Sequence, residues 1–205
     1  MQFNDMSGLA LRGHIKITDV TDPENKEVLI DKSNAIHYEN ISIALAQSIA
    51  DSGQGFIYEM AFGNGGTTVD PTGIITYLSP NSTGSNASLY NETYSKVVDD
   101  RSSVNTDPTR NYIETRHVTG TNYTDVFITC LLDYGEPSDQ LAFDNVNNNS
   151  NAYVFDELGL KSYSSTGNSL LLTHVIFHPV QKSLNRLIQI DYTVRIQTLT
   201  GLAGV

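Results

Sequence analysis

The residues that could do chemistry in this chain are five histidines, one cysteine and a few closely spaced acids. His174 and His178 are four apart, the spacing that brings two metal ligands together on a helix. They sit in and beside the apolar run Leu170 to Phe177, which reads as a strand, and four strand residues span about 13 Å. The chelate is therefore lost, and His14, His37 and His117 have no partners at ligand spacing. Cys130 alternates with Val126, Ile128 and Leu132 in D-V-F-I-T-C-L-L, so it reads as a buried structural thiol rather than a nucleophile. A single cysteine excludes an intrachain disulfide. No G-x-S-x-G elbow occurs. The acids Asp133/Glu136 and Asp156/Glu157 are the pairs a glycosidase would need; both are expected to be solvated loop carboxylates. The loop Asp99 to Asp107 offers carboxylates to calcium but lacks the D-x-D-x-D spacing. The expectation is a protein with no catalytic residues, no metal and no cofactor.

Glycines supply the other chemical motif. Gly63-Asn64-Gly65-Gly66 could cradle a phosphate, but no Lys-Ser/Thr follows and no helical pattern opens after it, so the parts of a P-loop are missing. The four residues are expected to form a structural turn at a strand end.

The elements around this turn can be read from periodicity. Ile41, Leu45 and Ile49 recur every fourth residue and predict an amphipathic helix with that stripe buried, stopped by Gly53. Phe56 to Phe62 predicts a short strand with Met60 and Phe62 in the core. Alternation at Ile15 and Ile17, the turn cluster Thr21 to Asn25 and the short run Val28 to Ile30 predict a hairpin. Tyr112 to Thr119 and Asp125 to Leu132 predict a second one. Val154 to Leu160 reads as a strand, and Leu170 to Phe177 as a central strand ended by Pro179. Ile188, Ile190, Tyr192, Val194 and Ile196 are the inward set of a last strand. About eight strands and one helix at hairpin spacing predict a mainly β fold: an antiparallel β-sandwich with one α-helix in the N-terminal half and long loops, forming a single domain over 1–205. Residues 67–111 are too long for an ordinary connection and read as an extended loop or arm, with Tyr90 to Val98 as strand or irregular arm.

Composition narrows the partners. Net charge is −11 and charged residues are only 17%, which argues against nucleic acid and against an anionic membrane surface. No run is long enough to span a bilayer, and Met1 to His14 shows no secretory signal. Six N-x-S/T triplets are expected by composition alone and to carry no glycan. Eleven tyrosines and no tryptophan favour protein contacts over sugar stacking. The candidate intersubunit residues are Tyr77, Tyr90, Tyr94, Arg101 and Arg110.

The order of motifs also carries a family resemblance. A helix is followed by I-x-x-M-A-F-G-N-G-G-T-T, then L-Y-N-E-T at Leu89 to Thr93, F-D-E-L-G-L with Asp156 to Leu160, and L-L-T-H-V-I-F-H-P-V-Q-K over Leu171 to Lys182. From about Asn34 to Gln197 this resembles a group of tailed-bacteriophage virion proteins that includes the attachment domains of tail-collar fibres and neck, tail and baseplate components. The resemblance implies a non-enzymatic structural subunit, assembled in the bacterial host cytoplasm into the virion, homo-oligomeric and packed against other virion proteins. No repetitive shaft follows the domain, so the expectation is a stand-alone ring or adaptor subunit, with fibre anchoring as a further role. Two alternatives stand beside it: a capsid head-decoration protein and a host-glycan-binding module.

Overall fold

The computed structural model describes residues 8–84, 87–137 and 152–199. Over these residues the chain forms strands β1 (Gly8–Asp19) and β2 (Glu27–Ile36), helix α1 (Tyr38–Ile49), and strands β3 (Ile57–Gly63), β4 (Thr67–Val69), β5 (Ile75–Tyr77), β6 (Glu92–Val97), β7 (Tyr112–His117), β8 (Tyr123–Leu132), β9 (Ala152–Ser162), β10 (Thr173–Ser183) and β11 (Ile188–Leu199). Nine of them make one antiparallel sheet, in the order β6-β3-β9-β10-β2-β1-β11-β8-β7, and β4 and β5 make a separate hairpin. The fold is the expected mainly β, sandwich-like architecture with one helix. It has more strands than alternation alone indicated: β4, β5 and β6 fall within the stretch 67–111, and β2 runs on to Ile36.

The sheet folds over at a seam. Strands β10 and β2 share only the pairs Thr173↔Ile36 and His174↔Ala35. Beyond them Lys32 Nζ donates to the Ile176 carbonyl at 2.8 Å. On either side of this seam the pairing is extensive; β1 and β11 match residue for residue from Gly8↔Leu199 to Asp19↔Ile188. The inner faces of the two halves meet in one apolar core. Ile15 and Ile17, Ile128, Cys130 and Leu132, and Ile188, Ile190, Tyr192 and Val194 come from one half; Met60, Phe62, Phe155, Leu158 and Phe177 come from the other. Phe155 lies at its centre, edge-on to Phe62 at 5.4 Å and to Phe177 at 5.7 Å. Burying each such side chain stabilises the fold by about 1.5–3 kcal/mol, and edge-on ring pairs add to that. The clean alternation of β11 is realised: Ile188, Ile190, Tyr192 and Val194 are buried.

The helix departs from expectation. Asn40 and Ala44 are its buried residues, whereas Ile49 is 85% exposed. The cause is at its start. His37 caps the helix through its Nδ1, which accepts from Asn40 N–H, and the Asn40 side-chain amide donates to the Leu171 carbonyl. These anchors rotate the 40/44 row toward the sheet and leave the 41/45/49 row partly in solvent. The left-handed stop comes two residues before the expected Gly53. Asp51 takes the left-handed conformation (φ 49°), and Asp51 N–H and Ser52 N–H donate to the Ser48 and Gln47 carbonyls.

Pro179 does not end its strand. Val180 pairs with Phe155 and Ile176 with Glu157, so residues 177–179 bulge where β9 offers a single intervening residue. A proline N–H is not missed in such a bulge.

Cys130 is fully buried in β8, and burial pushes its thiol up to about 12. In the native protein the thiol is therefore expected to resist alkylation at pH 8, and to react at the rate of a free thiol once the chain is unfolded in denaturant. Rapid labelling of the native state, followed by mass spectrometry, would contradict this burial.

A buried carboxylate node as the candidate functional site

The residues of the glycine turn and of the acid pair Asp156/Glu157 come together. Asp156 and Glu157 are not solvated loop acids; they are adjacent residues within β9, at 3% and 0% exposure. The apolar neighbours Phe155, Leu158 and Leu160 fix that strand in the core. The register irregularity opposite Pro179 lets both carboxylates remain inside. An unpaired buried carboxylate costs several kcal/mol, so both must find donors.

Five backbone N–H groups supply most of them. Asp156 Oδ1 accepts from Gly66 N–H at 2.9 Å, and Oδ2 accepts from Thr67 N–H at 2.9 Å and from the Thr67 hydroxyl. Glu157 Oε1 accepts from Gly65 N–H at 3.1 Å and from Asn91 N–H at 2.8 Å. Its Oε2 accepts from Tyr90 N–H at 2.9 Å and from His174 Nε2 at 3.0 Å. His174 Nδ1 in turn accepts from Asn81 N–H at 2.8 Å, so the ring proton is on Nε2 and points at Glu157.

The electrostatics of the two acids differ. Burial pushes Glu157 upward, but the hydrogen bonds from His174, Asn91, Tyr90 and Gly65 outweigh it and hold the carboxyl below its ordinary value. Burial dominates at Asp156 and raises it, with the neighbouring Glu157 charge adding to the rise against the bonds from Thr67 and Gly66.

The glycines are there for room. A Cβ on residue 63 would stand 2.5 Å from the Asn91 carbonyl oxygen and 2.5 Å from Glu157 Oε1. One on residue 65 would stand 2.8 Å from Asn91 N and from Tyr90 Cβ. Gly63 ends β3, and Asn64, Gly65 and Gly66 carry the chain on to β4, with the Gly65 and Gly66 amides closing on protein carboxylates. Asn64 adds a clasp: its N–H donates to the Asn91 carbonyl, and its side-chain oxygen accepts from the Asn91 amide at 2.5 Å.

The five candidate contact residues do not form one patch. Tyr77 and Tyr90 are about half exposed beside the node. Tyr77 reaches His178 Nδ1 at 3.3 Å, and Tyr90 donates to the Ser79 carbonyl at 2.7 Å. Tyr94 is instead half-buried against Phe62, its ring 6.0 Å away, and burial raises its hydroxyl pKa strongly. Arg101 pairs with Asp99 and lies over the Phe56 ring at 5.2 Å. Arg110 is held between Asp107 and Asp133. Asp99 and Asp107 of the loop 99–107 thus face arginines. Asp133 and Glu136 belong to a second polar cluster with Lys96 and Lys182, in which Lys182 donates to the Asp133 and Ser183 carbonyls and burial lowers it to about 8. Among the described residues, no group of three His, Cys, Asp or Glu side chains is placed to hold a metal.

What sequence reasoning missed is the role of Asp156, Glu157 and His174. A signal was present: two acids inside an apolar strand segment cannot remain without donors. No known family, curated protein or solved structure matches the chain.

Two outcomes follow from the node. Glu157→Gln turns an acceptor into a donor facing backbone N–H groups and is expected to cost about 2–4 kcal/mol at pH 7. Because Glu157 is held below its ordinary 4.5, its contribution is present above that pH and is lost as pH falls through the folded value. The gap between wild type and variant, measured by urea unfolding, should therefore narrow below about pH 4.5; a gap independent of pH would contradict an ionised Glu157. Gly63→Ala is expected to cost about 1–3 kcal/mol in the same assay, and an unchanged midpoint would show that the turn has room to spare.

Proposed function

We propose that this chain is a non-enzymatic structural protein of a tailed-bacteriophage virion, a ring or adaptor subunit of the neck, tail or baseplate region. One observation carries the reading. The four segments that resemble that group, Met60 to Gly65, Leu89 to Thr93, Asp156 to Leu160 and Leu171 to Lys182, each contribute to the node or flank it. Motifs far apart in sequence share one physical task, which is to hang residues 64–91 on the sandwich through a buried carboxylate pair.

Such an arrangement suits assembly. The arm carries the half-exposed Tyr77 and Tyr90 and the exposed Val69 and Ile74 on a segment hydrogen-bonded to Asp156, Glu157 and His174. Side chains already held in place lose less entropy when a neighbour docks on them. The acid pairs that a hydrolase would need are partnered within the protein: Asp156 and Glu157 by backbone amides, Asp133 by Arg110 and Glu136 by Lys96. Rings of identical subunits are the form expected of such a protein.

Immunogold labelling of tailed particles assembled in cells that make this chain tests the proposal. Label is expected at the neck, tail or baseplate. Label spread over the head would support capsid decoration instead, and unlabelled particles would overturn the virion assignment.

A further inference from the structure

Strand β7 ends the nine-stranded sheet, and its outer edge has no partner strand among the described residues. Its sequence is Tyr112-Ile113-Glu114-Thr115-Arg116-His117, followed by Val118, which is 57% exposed. All six strand residues pair with β8 on the inner side, from Tyr112↔Thr129 to His117↔Thr124. Glu114 and Arg116 lie on one face, where they pair with each other and where the guanidinium rests 4.7 Å from the centre of the Phe127 ring. Thr115 lies on the opposite face, over a cleft of about 370 Å³ that Ile57, Ile113 and Val126 also line.

We propose that the β7 edge is a two-fold pairing surface for a second copy of this chain, centred on Thr115. Antiparallel pairing about that residue sets Glu114 of each copy opposite Arg116 of the other, the opposite-charge cross-strand arrangement. It also sets Thr115 against Thr115, Ile113 against His117 and Tyr112 against Val118. A two-fold axis normal to the sheet keeps each side chain on its own face, so the symmetric alternatives nearest to it centre on Glu114 or on Arg116. Those registers put glutamate opposite glutamate or arginine opposite arginine, which is destabilising. The short pattern Glu-Thr-Arg thus selects one register and rejects its neighbours.

The other edge of the sheet is built differently. Strand β6 directs Lys96 inward, where its Nζ donates to the Leu131 carbonyl at 2.7 Å and pairs with Glu136. An inward-pointing charge is one of the devices that keeps an edge from pairing. No such device is present on β7, whose charges are outward and self-complementary. The contact is isologous and joins subunits in pairs, a geometry distinct from head-to-tail packing round a ring. It does not depend on where, or whether, the chain sits in a virion.

The test is a charge exchange on the full chain, read by light scattering over a concentration series. The wild type is expected to be a dimer. Glu114→Arg alone places arginines opposite arginines, and Arg116→Glu alone places glutamates opposite glutamates. Each variant is expected to weaken pairing about tenfold or more. An equimolar mixture of the two restores both opposite-charge pairs and is expected to dimerise like the wild type, as is the double variant carrying both changes. Thermal unfolding of each single variant establishes that it is folded before it is mixed. A monomeric wild type overturns the proposal, as does a wild-type dimer that both single variants leave intact. A mixture of folded variants that stays monomeric overturns it too.

Discussion

Two carboxylates set side by side in a central strand, without solvent, are the constraint on which this structure turns. Asp156 and Glu157 are placed in the interior by their apolar neighbours on β9, and their charge can be tolerated there only if donors converge on it. The donors are mainly backbone amides from the two connections β3–β4 and β5–β6, and an amide presents its hydrogen only when the main chain has the right path. Ionisation of the acids and the conformation of the loops are therefore a single condition. The glycines follow from it, since a backbone that approaches Glu157 this closely has no space for a Cβ at 63 or 65.

The same constraint gives the long arm its order. Among the described residues of 64–91, the regular structure is one pair of three-residue strands, β4 and β5, too little to fix their position. They are fastened at one end by Gly65, Gly66 and Thr67, and at the other by Tyr90 and Asn91. Asn81 is tied between them through His174. A long surface segment pinned at three points presents its side chains with less conformational freedom than an open loop would. The tie is also asymmetric with pH. The bonds to Glu157 favour its charged form, whereas Asp156 is raised by burial and opposes them, so the node is held by Glu157 more than by its neighbour.

How much of this was legible in sequence varied with the range of the forces involved. Alternation in β1, β8 and β11 reflects which face of a strand meets the core, a local property, and Ile15, Cys130 and Tyr192 lie where it places them. The break in the strand pattern at 63–66 was legible because three glycines and an asparagine offer no apolar side chain to a core. The burial of the helix was not: its 41/45/49 stripe is real, but Asn40 and His37 are tethered to Leu171 and Leu172, more than 130 positions away, and the tether sets the rotation. The acid pair was misread for the same reason. Glu157 finds its amides 92, 67 and 66 positions away, and nothing in the local pattern F-D-E-L-G-L names them. It does show two charges in an apolar run, and the only physical resolution of that conflict is a long-range one.

The two sheet edges extend this logic from the inside of the molecule to its outside. A sheet that curls without closing leaves two rows of backbone donors and acceptors, and what flanks each row decides whether it pairs. At β6, Lys96 turns inward and bonds across to β8, so the charge that guards the edge also ties the two halves of the sandwich together. At β7, Glu114 and Arg116 neutralise each other within the strand, and that pairing is easily exchanged, since both side chains are substantially exposed and an ion pair in solvent is worth little. Replacing it by the equivalent pairs across a two-fold axis loses almost nothing electrostatically and gains the backbone hydrogen bonds of an added strand. The carboxylates of the node are committed by burial and cannot be re-partnered; those of the edge are free to be, and that difference separates the part of the molecule that holds its shape from the part suited to meeting a neighbour.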